Sequence, residues 1–244
     1  TIYNQQIRSL NLIYHLIEEN KIKPASKVSK PVVILGGGIA GLTIAIALKK
    51  LKYGVVLLEE KSLLLHLQHG CTTRQVHPNL FLWPQTGALK PFTELPFANW
   101  RATDAAGVEK QLKNEFKLEN SDGSIKEYYN ICEAKVKLTR NTIDFKSPND
   151  ETIVYSYLII ATGFGLEQYV GRKEKTKSYW RNEDLSQLRL ADQIKKFFVS
   201  GTGDGGISDV CRLALIAFDP TDWAKKFNSI DKGKLIDDLK GIEN

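Results

Sequence analysis

The stretch VVILGGGIAGLTIAIALKKLKYGVVLLEE, residues 32–60, decides the fold. VVIL is wholly apolar, as a parallel strand buried on both faces must be. GGGIAG interrupts the extended chain. LTIAIALKKLK is rich in Ala, Leu and Ile and reads as a helix that Gly54 ends. VVLL is the next strand, and Glu59 and Glu60 follow it. Strand, turn, helix and strand in this order and length make one βαβ unit.

The turn holds Gly36, Gly38 and Gly41, the spacing G-x-G-x-x-G. The first Gly permits the tight turn, the second lets a diphosphate approach the backbone, and the third lets helix and strand pack closely. Ile39, Ala40 and Gly41 open the helix, whose free N–H groups and positive dipole end suit an anion. Glu59 lies 23 residues beyond Gly36, where a carboxylate can accept both ribose hydroxyls and repel a 2′-phosphate. Glu60 competes with it, but strand alternation points only one of the two inward, and the register favours Glu59. The plain alternative is a glycine turn without ligand and a surface acid. The agreement of strand, turn, helix, strand and acid argues for a bound dinucleotide.

Upstream, residues 2–20 place Ile2, Ile7, Leu10, Ile13, Tyr14 and Ile17 along one helical stripe, and NKIKPASKVSK is a polar linker. The chain of 244 residues is 42% apolar and 25% charged, ordinary for a globular protein, with a net charge of +6. The basic residues alternate with acids, and no nucleic-acid motif is present, so nucleic-acid binding is not expected. No apolar run reaches membrane-spanning length, and no membrane partner is expected. Three scattered cysteines, Cys71, Cys132 and Cys211, form no CxxC or CxxxxC pair. That sparse, odd count fits a reducing compartment, so the expected location is cytoplasmic. Four histidines without a His/Cys cluster predict no metal site. The complete lack of Met points to a longer parent product, with spacings inside motifs safer than spacings across loops.

Downstream, HGCTTRQVHPNLFLWPQTGALKPFTELPF contains four Pro and reads as ordered loop. TDAAGVEKQLKNEF is a helix capped at Thr103 or Asp104. KEYYNICEAKVKLT, NTIDFKS and ETIVYSYLII read as three strands, separated by turn signals and closed by Ala161, Thr162 and Gly163.

A glycine turn with its Glu, three strands, and a strand ending in A-T-G together resemble the two-dinucleotide-binding flavoproteins. That superfamily includes the pyridine nucleotide–disulfide reductases and the flavin monooxygenases. The resemblance covers residues 32–60 and about 134–163. It implies an α/β fold, Rossmann-like, with a parallel sheet, helices on one face and a three-stranded antiparallel meander. It also implies FAD, with the diphosphate at residues 36–41, the adenosine near Glu59, and a backbone contact to adenine near Val136. Arg74 sits in a loop where the superfamily often places residues near flavin or phosphate. Trp83, before Pro84, is a candidate wall of the flavin pocket. The CxxxxC redox pair is missing, and a single thiol cannot cycle through an internal disulfide, so disulfide reductase chemistry is disfavoured.

A second G-x-G-x-x-G, Gly201, Gly203 and Gly206, follows FFVS. It is open to three readings: an NAD or NADP site, a further FAD motif in which Gly203 and Asp204 meet the flavin's polar chain, or a capped helix without ligand. No strand ending in an acid or Arg follows it at the usual distance. The expected division is residues 1–30 as leading helix and linker and 31–165 as FAD-binding domain. Residues 166–244 would begin a second, NAD(P)-binding-like or helical unit, incomplete here. The expected function is FAD-dependent oxidation or reduction of a small-molecule substrate, with NAD(P)H as donor. The alternative is a nucleotide-binding module without turnover. No catalytic residue is assigned; His77 and Cys71 are the candidates near the expected pocket. The oligomeric state is left open.

Overall fold

A computed structural model describes residues 1–163, 179–183, 197–199, 204–215 and 218–229. In chain order the elements are α1 (Ile2–Glu18), β1 (Val32–Leu35), α2 (Ile39–Lys50), β2 (Val55–Leu58), β3 (Gln75–Val76), β4 (Thr103–Asp104) and α3 (Ala105–Glu119). There follow β5 (Ile125–Tyr128), β6 (Cys132–Lys137), β7 (Thr142–Lys146), β8 (Asp150–Val154), β9 (Tyr157–Ile160), α4 (Asp204–Ala214) and α5 (Pro220–Ser229).

The central sheet has the order β5-β2-β1-β9, and every pairing in it is parallel. Alternation along each strand divides the core in two. Val32, Ile34, Val55, Leu57 and Ile125 face a cluster with Leu42, Ile46, Val108 and Leu112 from α2 and α3. Val33, Val56 and Leu58 face the opposite way, onto Ile143 and Phe145 of β7. The antiparallel meander β6-β7-β8 thus covers the second face. Right-handed crossovers explain this layering. Stepping from β1 to β2 to β5 keeps the helices on one side. The return from β5 to β9 reverses direction and puts its crossover, the meander, on the other. The order therefore switches between β1 and β9, and ligands of open α/β sheets bind at such a switch, beyond the strands' carboxyl ends.

The expected architecture of parallel sheet, helical face and meander is what the chain forms, with finer corrections. The three expected strands after α3 are five. KEYYNICEAKVKLT breaks at residues 129–131, where Asn130 takes φ 53°, into β5 of the parallel sheet and β6 of the meander. ETIVYSYLII breaks at Tyr155 and Ser156 into β8 and β9. Asp104, not Thr103, caps α3: its Oδ1 accepts from Gly107 N at 2.7 Å. On α1 the buried stripe is Ile2, Gln6, Ser9 and Ile13, whereas Tyr14 is 60% exposed. Gln6 is buried because its amide donates to Ala98 O (2.9 Å) and accepts from Trp100 Nε1 (2.8 Å). Residues 197–199, ahead of the second glycine spacing, form no strand, and Phe198 is 92% exposed.

Candidate functional site: the glycine turn between the first and last parallel strands

The turn after β1 is held by backbone on every side. Gly36 N donates to Leu58 O at 2.7 Å, and Ala161 N donates to Leu35 O at 2.8 Å. Gly36 adopts φ +112°, and a Cβ there would lie 2.5 Å from Ala161 O. A Cβ on Gly41 would lie 1.9 Å from Gly36 O. A Cβ on Gly37 would meet Leu64 at 2.4 Å and Glu59 Oε2 at 2.9 Å. Gly36 and Gly41 are demanded by the protein's own backbone packing, and Gly37 is crowded by side chains. Gly38 is different: a Cβ there would meet no atom of the described residues within 4 Å.

Gly38 is also the N-cap of α2, and among the described residues no side chain caps that helix end. The first helix bond runs from Leu42 N to Gly38 O (2.9 Å), so the N–H groups of Ile39, Ala40 and Gly41 stand ahead of it. Glu59 is locked beside the turn. Its Oε2 accepts from Gly37 N at 2.6 Å and its Oε1 from Lys61 N at 2.7 Å. A carboxylate oxygen has two acceptor sites, so each keeps one. Glu60 instead is exposed and pairs with Lys61 at 2.7 Å. Ala161, Thr162 and Gly163 follow β9 directly against Gly36, and Gly163 takes φ +68°. The two motifs, more than a hundred residues apart in sequence, are thus packed backbone to backbone at the switch of strand order. A diphosphate fits this donor set: open space at Gly38, an uncapped helix start, and a fixed acid for a sugar diol.

The pyridine nucleotide-disulphide oxidoreductase family matches residues 30–210, most of the chain. The chain belongs to that family. Among solved structures it is similar to a 2-naphthoyl-CoA reductase, with 13% identity, a TM-score of 0.37, and coverage of 61% of this chain and 16% of the other. It is similar to the bacillithiol disulfide reductase of Staphylococcus aureus at 14% identity and TM-score 0.35, covering 57% of this chain and 31% of that one. An NAD-dependent persulfide reductase from A. fulgidus gives 13% identity and TM-score 0.34, with 62% and 19% covered. The chain therefore spans less than a third of the length of these structures. A search of the curated proteins returns no match.

All three cysteines of the chain are free thiols. Cys71 is buried, and burial pushes its thiol above the usual value despite hydrogen bonds from nearby backbone N–H groups. That environment suits an inert thiol, not a thiolate nucleophile. His77 is likewise structural: its Nδ1 accepts from Asn79 N (3.2 Å) and Leu80 N (3.0 Å). Burial holds it below the usual histidine value, and the Asp219 charge opposes that shift without reversing it. Trp83 Nε1 donates to Asn228 of α5 at 3.0 Å, and its ring lies 6.1 Å from Phe227, so it packs against that helix.

Arg74, expected beside a phosphate, is committed elsewhere. It is buried, ion-paired with Asp209 of α4, and donates from Nε to Tyr179 O at 2.9 Å. The Tyr179 ring lies 4.1 Å under its guanidinium. Burial disfavours its charge, yet the hydrogen bond and charge of Asp209 outweigh this and raise its pKa. Val136, expected near adenine, pairs with Ile143 in the meander. The backbone that lies against Glu59 is that of Tyr128 and Ile131, through Glu59 N to Tyr128 O (2.9 Å) and Ile131 N to Glu59 O (3.2 Å). Val136 lies five residues beyond Ile131, in β6.

Sequence reasoning passed over His66 and Arg181. Leu65 N donates to Gly37 O at 3.0 Å, which anchors the loop of His66 to the turn. Arg181 Nη2 lies 3.4 Å from His66 Nε2, and its Nη1 donates to Leu67 O. Burial, then the charges of Arg181 and Lys61, hold His66 below its ordinary value, against the pull of Glu59. The signal available was only a histidine shortly after the acid; Arg181 had none.

The second glycine turn lies partly outside the described residues, which exclude Gly201 and Gly203 and begin α4 at Asp204. Gly205 is explained by packing: a Cβ there would meet the Tyr179 ring at 2.9 Å. Five residues after α4 the chain enters α5, and no strand intervenes among the described residues. Among the described residues there is no metal-ligating cluster and no helix long and apolar enough to cross a membrane.

Proposed function

We propose that this chain holds FAD at the first glycine turn and serves as the flavin-binding part of an NAD(P)H-linked oxidoreductase. The observation that carries the reading is Gly38, whose missing side chain answers to no atom of the described residues, beside a helix end that none of them caps and a locked carboxylate. In this reading Gly38, Ile39, Ala40 and Gly41 donate N–H groups to the diphosphate. Glu59 accepts from the ribose diol and disfavours a 2′-phosphate, and residues 129–131 border the adenosine end. Arg181 is a cation on this side, whereas Arg74 is neutralised by Asp209. The backbone of Ala161, Thr162 and Gly163 borders the turn where the strand order switches. When bound, the flavin supplies the two-electron chemistry, and the protein's part is to bind, orient and exclude water.

The proposed substrate is a small molecule, and the site of the nicotinamide donor is left to experiment. The test is an absorbance scan of the purified protein, then anaerobic titration with NADH and NADPH. A yellow protein that bleaches with either donor supports the reading. A yellow protein that bleaches with neither favours a flavin-binding module without turnover. A colourless protein that takes up no FAD overturns it.

A further inference from the structure

The amino ends of the parallel strands, opposite the glycine turn, gather positive charge. Residues 20–58 contain seven Lys and no Asp, Glu or Arg. Lys49 and Lys50, at the end of α2, are spent on Asp122 and Glu119, each at 2.7 Å. Lys21, Lys23, Lys27, Lys30 and Lys52 are exposed and have no ion pair among the described residues. Glu18 and Glu19 close α1 just ahead of Lys21 and offset it, which leaves Lys23, Lys27, Lys30 and Lys52 in surplus.

Tertiary hydrogen bonds bring these four together. Lys23 N donates to the Tyr157 hydroxyl at the start of β9 (2.9 Å), and Lys23 O accepts from the Tyr53 hydroxyl (2.8 Å), next to Lys52. Lys30 O accepts from Ser156 Oγ (2.9 Å), and Pro31 O accepts from Ser156 N (2.9 Å). Lys27 lies between Lys23 and Lys30, in the turn of residues 25–27. Tyr155 N donates to Asn141 O at 2.9 Å, which brings the turn Leu138–Arg140 to the same end. Arg140 is exposed and adds a cation without an ion pair among the described residues. Two apolar side chains stand out amid these charges: Leu51 is 46% exposed and Leu138 is 76% exposed.

Unpaired lysines with bare leucines among them match a surface that is anionic outside and apolar just beneath. Lysines are drawn to anionic headgroups, and apolar side chains are buried at the boundary between headgroups and acyl chains. Nucleic acid is a poorer fit, because a strand of bases favours exposed aromatic rings, whereas Tyr53 is buried and Tyr157 half-buried at this end. We infer that this end is a docking surface for an anionic lipid bilayer. Lys23, Lys27, Lys30, Lys52 and Arg140 meet its headgroups, and Leu51 and Leu138 enter its outer apolar layer. No helix among the described residues is long and apolar enough to cross a membrane, and none is needed to lie on one. The glycine turn follows the opposite, carboxyl end of β1, so docking leaves it facing away from the bilayer.

The inference stands apart from the flavin reading, and its test does not depend on bound FAD. The experiment is co-sedimentation of the whole chain with vesicles of phosphatidylcholine alone and of phosphatidylcholine mixed with phosphatidylserine. Only the mixed vesicles should carry the protein down, and added salt should release it. Replacing Lys23, Lys27, Lys30 and Lys52 together by Gln should leave the melting temperature unchanged and weaken binding about a hundredfold or more, at about fivefold or less for each lysine. Removing the same charge elsewhere, at Lys90, Lys110, Lys225 and Lys226, should weaken it by less than about fivefold, because screening shortens the reach of distant charges. Leu51→Ser with Leu138→Ser should weaken binding about tenfold at unchanged net charge. No binding to the mixed vesicles, or equal losses from the two lysine sets, would overturn the inference. So would a leucine variant that binds as tightly as the natural chain, which would make this end a general polyanion surface, nucleic acid included.

Discussion

The chain carries the same six-residue glycine spacing twice, and its surroundings give it two different meanings. The first turn stands between parallel strands β1 and β9, with β2 and Glu59 beside it. Gly36 and Gly41 are fixed by close approach of backbone, Gly37 is crowded by side chains, and a Cβ on Gly38 alone would meet no atom of the described residues within 4 Å. The second opens α4, whose Asp209 neutralises Arg74 and whose Gly205 makes room for the Tyr179 ring. Behind α4 comes another helix, α5. A glycine pattern states only where side chains are excluded. What excludes them, a ligand or the fold, is decided by the neighbours.

The sharpest break in this comparison is Gly41→Ala. Its Cβ would overlap a backbone oxygen that no rotamer change can move, at 1.9 Å. A loss above about 3 kcal/mol is expected, a melting temperature lower by roughly 10 °C, or an insoluble chain. An unchanged melting temperature would mean that the turn is not built as described. Next is Glu59→Gln, which keeps an acceptor for Gly37 N and removes the charge. FAD affinity should fall about tenfold or more, as for loss of a hydrogen bond to a charged group, while Glu60→Gln changes nothing. Equal effects at the two positions would refute the assignment of Glu59.

Gly205→Ala probes the other turn. The ring it meets at 2.9 Å is a side chain and can shift, so the cost should be about 1 kcal/mol, with melting lowered by roughly 2–4 °C. FAD binding should be untouched; a loss of FAD there would make the second turn a cofactor site after all.

The smallest effect expected is one of pH. His66 and His77 both have values lowered in the folded state, chiefly by burial. Folding therefore favours their neutral forms. Their contribution is complete above the ordinary histidine value of about 6.5 and fades as pH falls below it. Thermal melts at pH 7.5 and 5.5 should show a drop that His77→Asn reduces, since the amide oxygen can accept in place of Nδ1. An identical slope in that variant would remove His77 from the account.

The parts legible in the sequence are those set by local rules. The βαβ unit of residues 32–60 follows from apolar runs, glycine and helix propensity, and Asp104 follows from capping chemistry. The breaks at residues 129–131 and 155–156 escaped because β-forming residues run straight through them. Asn130 is the only turn former in the first, and the energy that bends the chain comes from pairing with strands far away in sequence. The role of Arg74 was hidden for a similar reason: its partner Asp209 is 135 residues away. Gln6 and Ser9 on the buried stripe of α1 break the apolar pattern because Ala98 and Trp100 offer Gln6 its bonds, and Ser9 closes on Gln5 O of its own helix.

The most direct test is FAD affinity of the natural chain against Gly38→Ala, with melting curves of both. The added methyl meets no atom of the described residues within 4 Å and the residue's φ of −76° suits any side chain, so the two proteins should melt together. FAD should bind the natural chain one to one and the variant about tenfold or more weakly. Equal affinity in two equally stable proteins would contradict the claim that the first turn receives the diphosphate.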